Sequence, residues 1–205
     1  MQDTTNSVSI AGRLCGLKLS HKIYGEAFYT FLLECARLSE KADMLPVTVS
    51  ERLLEQHPLC EGAWVGVKGQ LRSYNKLVDG RARLYLTIFA RELADCSSSA
   101  NEIELKGFLC KPPVFRMTPF GREITDLLIA VNRAYNKSDY IPCIVWGRNA
   151  RYAAGFAVGD KVSLSGRVQS REYEKQLESG EVTVRTAYEV SIARLHKDIE
   201  SDNSE

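Results

Sequence analysis

Apolar and polar residues alternate along most of this chain with a period of two. Over Ser7–Leu14, Val8, Ile10 and Leu14 stand against small or polar neighbours. Trp64–Leu71, Glu102–Leu109 and Lys161–Val168 repeat that alternation, and Leu84–Phe89 and Thr186–Ile192 form two further apolar runs. This period predicts half-buried β-strands. Turn signals separate the runs, at Gly25, Gly62, Asp79-Gly80, Pro119-Phe120-Gly121, Gly159-Asp160 and Ser179-Gly180. Helical patterning is confined to two short stretches. One spans 50–56, with Ser50 as N-cap and Pro58 just beyond; the other spans 149–154 and ends near Gly155.

The whole pattern occurs twice, about 95 residues apart. Asn6-Ser7-Val8-Ser9-Ile10-Ala11-Gly12-Arg13-Leu14-Cys15 is answered by Asn101-Glu102-Ile103-Glu104-Leu105-Lys106-Gly107-Phe108-Leu109-Cys110. Leu45-Pro46-Val47 is answered by Ile141-Pro142-Cys143, and the Gly62–Gly69 segment by Gly159–Gly166. A period this long is a small domain rather than a solenoid unit. The chain therefore divides into domain 1 over residues 1–95, a short polar linker at 96–100, domain 2 over 101–196, and an acidic tail at 197–205 without apolar periodicity, expected to be disordered. Each domain is large enough for a modest core of its own. Five short strands with one helix after the third is the order of the OB-fold. The expected fold class is all-β: two tandem OB-folds, five-stranded barrels each with one short helix.

Composition narrows the classes. The 205 residues are 44% hydrophobic and 26% charged. No apolar run reaches the roughly 18 residues that cross a bilayer, and the first residues lack the basic and apolar regions of a secretory signal. A cytoplasmic protein without a membrane partner is expected. Six cysteines, at 15, 35, 60, 96, 110 and 143, form no C-x-x-C pair, and three histidines have no ligand spacing. Reduced thiols acting as small hydrophobes are expected, with no metal and no cofactor. There is no Walker loop, H-E-x-x-H or G-x-S-x-G, so no enzyme is expected. The net charge of +1 hides an asymmetry. Residues 98–196 carry 14 basic and 11 acidic side chains, while the tail from Lys197 has one Lys against four carboxylates.

Certain segments resemble a known family. Asp160–Tyr173 is similar to the central strand pair of bacterial single-stranded DNA-binding proteins, Tyr140–Arg148 to their third strand, and Arg185–Val190 to the closing strand of their small Gram-positive relatives. In the first copy, Leu84–Glu92 resembles a final OB strand. The resemblance implies two OB-folds and sequence-independent binding of single-stranded DNA in replication, recombination or repair. Every base has a π-face, so aromatic side chains bind an unpaired strand without reading it, and Lys or Arg between them neutralise phosphates. The family has four aromatic platforms per OB-fold. On the second copy these map to Tyr135, Tyr140, Trp146 and Tyr173, interleaved with Arg133, Lys137, Arg148, Arg167, Arg171 and Lys175. The first copy has Ser39, Met44, Ser50 and Lys76 at those positions. It is expected to be a scaffold or assembly unit, while domain 2 makes most DNA contacts.

Two rival readings stay open. The OB-folds could be interaction modules of a replication or primosome complex, or the strand bound could be RNA. Family members commonly join four OB-folds, so a homodimer is expected. Many family members also recruit replication or repair proteins through an acidic tail tipped by Pro-Phe. This chain ends Ile199-Glu200-Ser201-Asp202-Asn203-Ser204-Glu205, without that tip, so that route is in doubt.

Overall fold

A computed structural model of the chain describes residues 5–39, 41–78, 80–176 and 180–198. The expected tail from Ile199 onward lies outside them, as do Asp79, Ser179 and the side chain of Lys175. The first copy forms β1 (Asn6–Ile23), β2 (Glu26–Ala36), β3 (Ala42–Ser50), α1 (Glu51–Gln56), β4 (Trp64–Val78) and β5 (Arg81–Asp95). The second forms β6 (Ala100–Leu109), β7 (Val114–Met117), β8 (Glu123–Arg133), β9 (Lys137–Trp146), α2 (Arg148–Ala154), β10 (Lys161–Gln176) and β11 (Val182–Lys197).

The first copy is a five-stranded barrel in the order β2-β3-β5-β4-β1, closed by β1 pairing with β2. The second runs β6-β10-β11-β9-β8 and closes β6 on β8, with β7 added outside β8. Strand β7 has no counterpart among the runs read from the sequence. It exists because Pro112-Pro113 interrupts the path that the first copy follows as one strand. There β1 stays continuous and bends through register shifts near Gly16 and between Leu19 and His21.

Alternation places one face of each strand inside its barrel. Ile10, Leu14, Leu33, Leu45, Leu71 and Ile88 fill the first interior and Ile103, Leu105, Leu109, Ile124, Ile129 and Ile141 the second, all fully buried. Each such side chain stabilises its barrel by about 1.5–3 kcal/mol. Two repeated glycines mark where strands cross tightly. A Cβ on Gly69 would lie 2.1 Å from the Phe89 carbonyl oxygen, and one on Gly166 would lie 2.1 Å from that of Ser191.

The chain forms two compact units, and both are discontinuous. One joins Val8–Glu102 to Val168–Glu189, the outer halves of β10 and β11, whereas the other joins Ile103–Arg167 to the start of β1 and to the end of β11 from Val190. Polar pairing explains the first grouping. Asp43, almost fully buried, is bound by Arg37 and accepts from the Ser170 amide at 2.8 Å. Arg37 also donates to the Ser170 carbonyl at 2.9 Å, and the Met44 amide to the Ser170 hydroxyl at 3.1 Å. Asn101 holds Val168 by both backbone groups, at 2.7 and 2.9 Å. The repeat, by contrast, assigns all of β10 and β11 to domain 2. Strand β11 also continues through Lys197, into the segment read as tail.

Candidate nucleic-acid interface

Strand β9 builds the centre of the interface. Its odd-numbered residues Asp139, Ile141, Cys143 and Val145 are buried. Its even-numbered residues lie on the opposite face, with Tyr140 at one end, Trp146 at the other and Ile144 between them covered by its neighbours. Tyr140 is 45% and Trp146 39% exposed, which rejects a core placement for either ring. Six residues of extended chain separate them by about 20 Å. Between them the outer surface is low and apolar: Tyr140 faces Ala130 on β8, and Pro142 faces Leu128.

Local backbone sets the ends of this strip. At one end Tyr135 and Asn136 take left-handed conformations, φ 63° and 52°, in the turn between β8 and β9. That geometry turns the Tyr135 ring outward, 94% exposed. At the other end Gly147, at φ 59°, turns the chain from strand into α2 while its amide donates to the Glu123 carbonyl at 2.9 Å. Only glycine enters that conformation without strain. Buried Thr125 pins the helix by donating to the Ala150 carbonyl at 2.7 Å. Arg148, the first helical residue, is thereby held exposed beside Trp146.

Charges divide into two groups. Lys137 and Arg148 are exposed cations next to the rings. Arg133 is committed elsewhere: its guanidinium lies 3.3 Å from Asp139, whose carboxylate is fully buried. An unpaired charge there would be costly, so Arg133 answers Asp139 before any phosphate. The one carboxylate on the outer strip, Asp126, is neutralised by Arg116 at 2.6 Å. Arg167 is half-buried on the inner half of β10, in the same unit.

Tyr173, Arg171 and Lys175 stand on the outer half of β10, in the unit that holds the first barrel. The Arg171 guanidinium lies 5.8 Å over the Tyr173 ring, a cation–π contact, and 3.9 Å from Glu189. Tyr173 is 38% exposed. Tyr188 on β11 is half-buried, and burial raises its hydroxyl pKa.

Sequence reasoning passed over some exposed apolar groups. Val114, Phe115 and Met117 on β7 are exposed, and Phe120 is almost wholly so. The signal for Phe120 was present, since an aromatic residue between Pro119 and Gly121 sits in a turn, where no core can cover it. Among the described residues no cluster of three His, Cys, Asp or Glu could hold a metal, and no helix is long and apolar enough to cross a membrane. Cys35 and Cys143 are buried, as expected of small hydrophobes, but Cys60 is exposed. The Cys35 thiol is pushed up to about 12, by burial first and then by Asp43.

Comparison with known proteins fixes what this frame belongs to. The pattern of the single-strand binding protein family matches residues 100–197. The single-stranded DNA-binding protein of Clostridium tetani is 37% identical over 81 residues, 36% of this chain and 56% of that protein. Single-stranded DNA-binding protein B of Bacillus subtilis is 34% identical over 83 residues, which span 37% of this chain and 74% of that protein. The chain belongs to the single-strand binding protein family. It spans about half the length of most curated family relatives that it matches. The sequence match covers the second copy, whereas the fold match covers both. A deletion mutant of the single-stranded DNA binding protein from Thermus aquaticus superposes with TM-score 0.76 at 22% identity, covering 98% of this chain and 97% of that one. The wild-type Thermus aquaticus protein gives 0.75 at 20% identity. Both barrels thus have the OB-fold.

Proposed function

We propose that this protein binds single-stranded DNA without regard to sequence, mainly through its second OB-fold, in replication, recombination or repair. The observation that carries the reading is the outer face of β9, where Tyr140 and Trp146 stand exposed on an apolar strip in a member of the single-strand binding protein family. Tyr135 and Tyr173 are the further stacking rings. Lys137, Arg148, Arg167, Arg171 and Lys175 supply phosphate contacts, and Arg133 supports the site through Asp139. Stacking of this kind contributes about 1–3 kcal/mol per base, and phosphate contacts make binding salt-dependent. Two chains would bring four OB-folds together by closed two-fold symmetry.

The test is a titration of labelled oligo-dT and oligo-rU against the whole chain at two salt concentrations. Binding of oligo-dT that weakens as salt rises, with quenched Trp fluorescence absent from a Trp146→Phe variant, is the expected result. No binding at low salt overturns the reading, and tighter binding of oligo-rU reassigns the strand to RNA. Light scattering should give twice the chain's 23.0 kDa; a mass of one chain would reject the dimer.

A further inference from the structure

The first barrel has non-aromatic residues at the four platform positions, yet its outer face carries rings beside two of them. Ser50, the counterpart of Trp146, pairs with Phe28 on β2. Phe28 stacks on His21 with centroids 5.2 Å apart and leans on Phe89 at 6.0 Å. In the hairpin of β4 and β5 the displacement runs along the strand instead, two residues from Lys76. Tyr74 pairs with Tyr85, and the two rings stack at 5.6 Å and 16°. Tyr74 remains 50% exposed. The rung on one side is Lys76 with Arg83, and on the other Arg72 with Thr87.

We propose that the first barrel carries its own binding site for single-stranded DNA, in which Tyr74 and Tyr85 form the stacking platform and Arg72, Lys76 and Arg83 contact phosphates. Three observations select a polyanion with flat bases as the occupant. Apart from Asp79, residues 70–87 carry four cations and no carboxylate. An aromatic rung lies between two cationic rungs, the order in which bases and phosphates alternate along a strand. The corresponding hairpin of the second copy carries the same two groups in reverse: Arg171 and Tyr173 stand where the first copy has Tyr74 and Lys76. The first copy has exchanged aromatic and cation along β4 rather than lost the pair.

This inference rests on the proposed DNA-binding function, so its test must fail separately. Oligo-dT is titrated by anisotropy against the whole chain as wild type, Tyr74→Ala, Tyr74→Trp and Trp146→Ala, with ultraviolet cross-linking of wild type and mapping of the adducts. The expected result is that Tyr74→Ala weakens binding at least about fivefold, that Tyr74→Trp restores it, and that adducts map to Tyr74 or Tyr85. Thermal melting checks each fold, and if Tyr74→Ala unfolds, the Trp variant and the adducts decide. The proposal is overturned if wild type binds and Trp146→Ala weakens binding, while Tyr74→Ala changes it less than twofold and no adduct maps to the hairpin. A wild type that binds no oligonucleotide instead overturns the function reading itself. Unchanged DNA binding with lost self-association would reassign the hairpin to contact between chains.

Discussion

The two barrels share what is buried and differ in what is exposed. Gly69 and Gly166 lie at the same tight strand crossing, and Arg37–Asp43 and Arg133–Asp139 are the same buried ion pair. Both third strands are followed at once by a short helix. On the outer faces this agreement ends. Ser50 caps α1, its hydroxyl accepting from the Leu53 amide at 3.3 Å. At the same place in the second copy Trp146 projects outward, and α2 starts at Gly147 with no side-chain cap. One position thus serves a helix in one barrel and, on our reading, a base in the other. Packing and buried charge hold the frame constant, whereas solvent-facing positions are free to exchange roles.

The sharpest way to break this comparison is to fill the shared glycines. Alanine at Gly69 or Gly166 drives its Cβ into a backbone carbonyl at 2.1 Å, which no side-chain adjustment relieves. Each substitution should destabilise its own barrel by about 3 kcal/mol or more, read as a lowered urea midpoint. If one barrel tolerates the alanine, the two frames are not equivalent there.

Removing the Trp146 ring tests the exposed half of the comparison. Trp146→Ala should weaken oligo-dT binding by about 1–3 kcal/mol with the melting temperature little changed, because the ring lies outside the fully buried core. A melting temperature that falls while binding per folded molecule is unaffected would make Trp146 structural.

The ion pair separates charge for folding from charge for binding. Arg133→Ala leaves the Asp139 carboxylate buried without its cation. Since Arg133 is about a third exposed, the expected cost is below the fully buried case, about 2 kcal/mol of stability. Lys137→Ala and Arg148→Ala should instead leave stability alone and lower the slope of log affinity against log salt by about one each. The comparison blurs if Arg133→Ala acts like the two exposed cations.

Much of this was legible in the sequence, and the limits have physical causes. Alternation located the strands, the repeat located both barrels, and Ser50 announced its helix. Strand β7 was hidden because four residues are too few for a period to emerge, although Pro112-Pro113 marked the break. The grouping of Val168–Glu189 with the first barrel rests on long-range bonds from Asp43 to Ser170, which no local pattern encodes. The platform mapping followed equivalent positions along the chain, so it missed rings displaced across a strand, as Phe28 is from Ser50, or along one, as Tyr74 is from Lys76. The register needed to find them was available. The Asp79-Gly80 turn signal in the sequence implies a two-residue hairpin loop, Val78 does pair with Arg81, and counting outward from that pair sets Tyr74 opposite Tyr85.

The smallest expected effect concerns a contact that the second barrel has and the first lacks. Asp160 is held below the usual carboxylate range, first by Lys197, whose ammonium lies 2.7 Å away, and then by the Ala157 amide at 2.9 Å. The equivalent residue in the first copy is Ala63, which has no charge to place. A depressed carboxylate stabilises the fold above its unfolded pKa, near 4, and that contribution fades as pH falls through the folded value. Acidification below about pH 4 should therefore lower the melting temperature of wild type slightly more than that of Asp160→Ala. The difference should be absent at neutral pH once each variant is referenced to its own value there. It should also shrink in Lys197→Met, which removes the main cause of the depression while keeping the length of the side chain. Identical acid sensitivity in wild type and Asp160→Ala would mean that the end of β11 is not tied down by this pair, and that other carboxylates set the acid response of the second barrel.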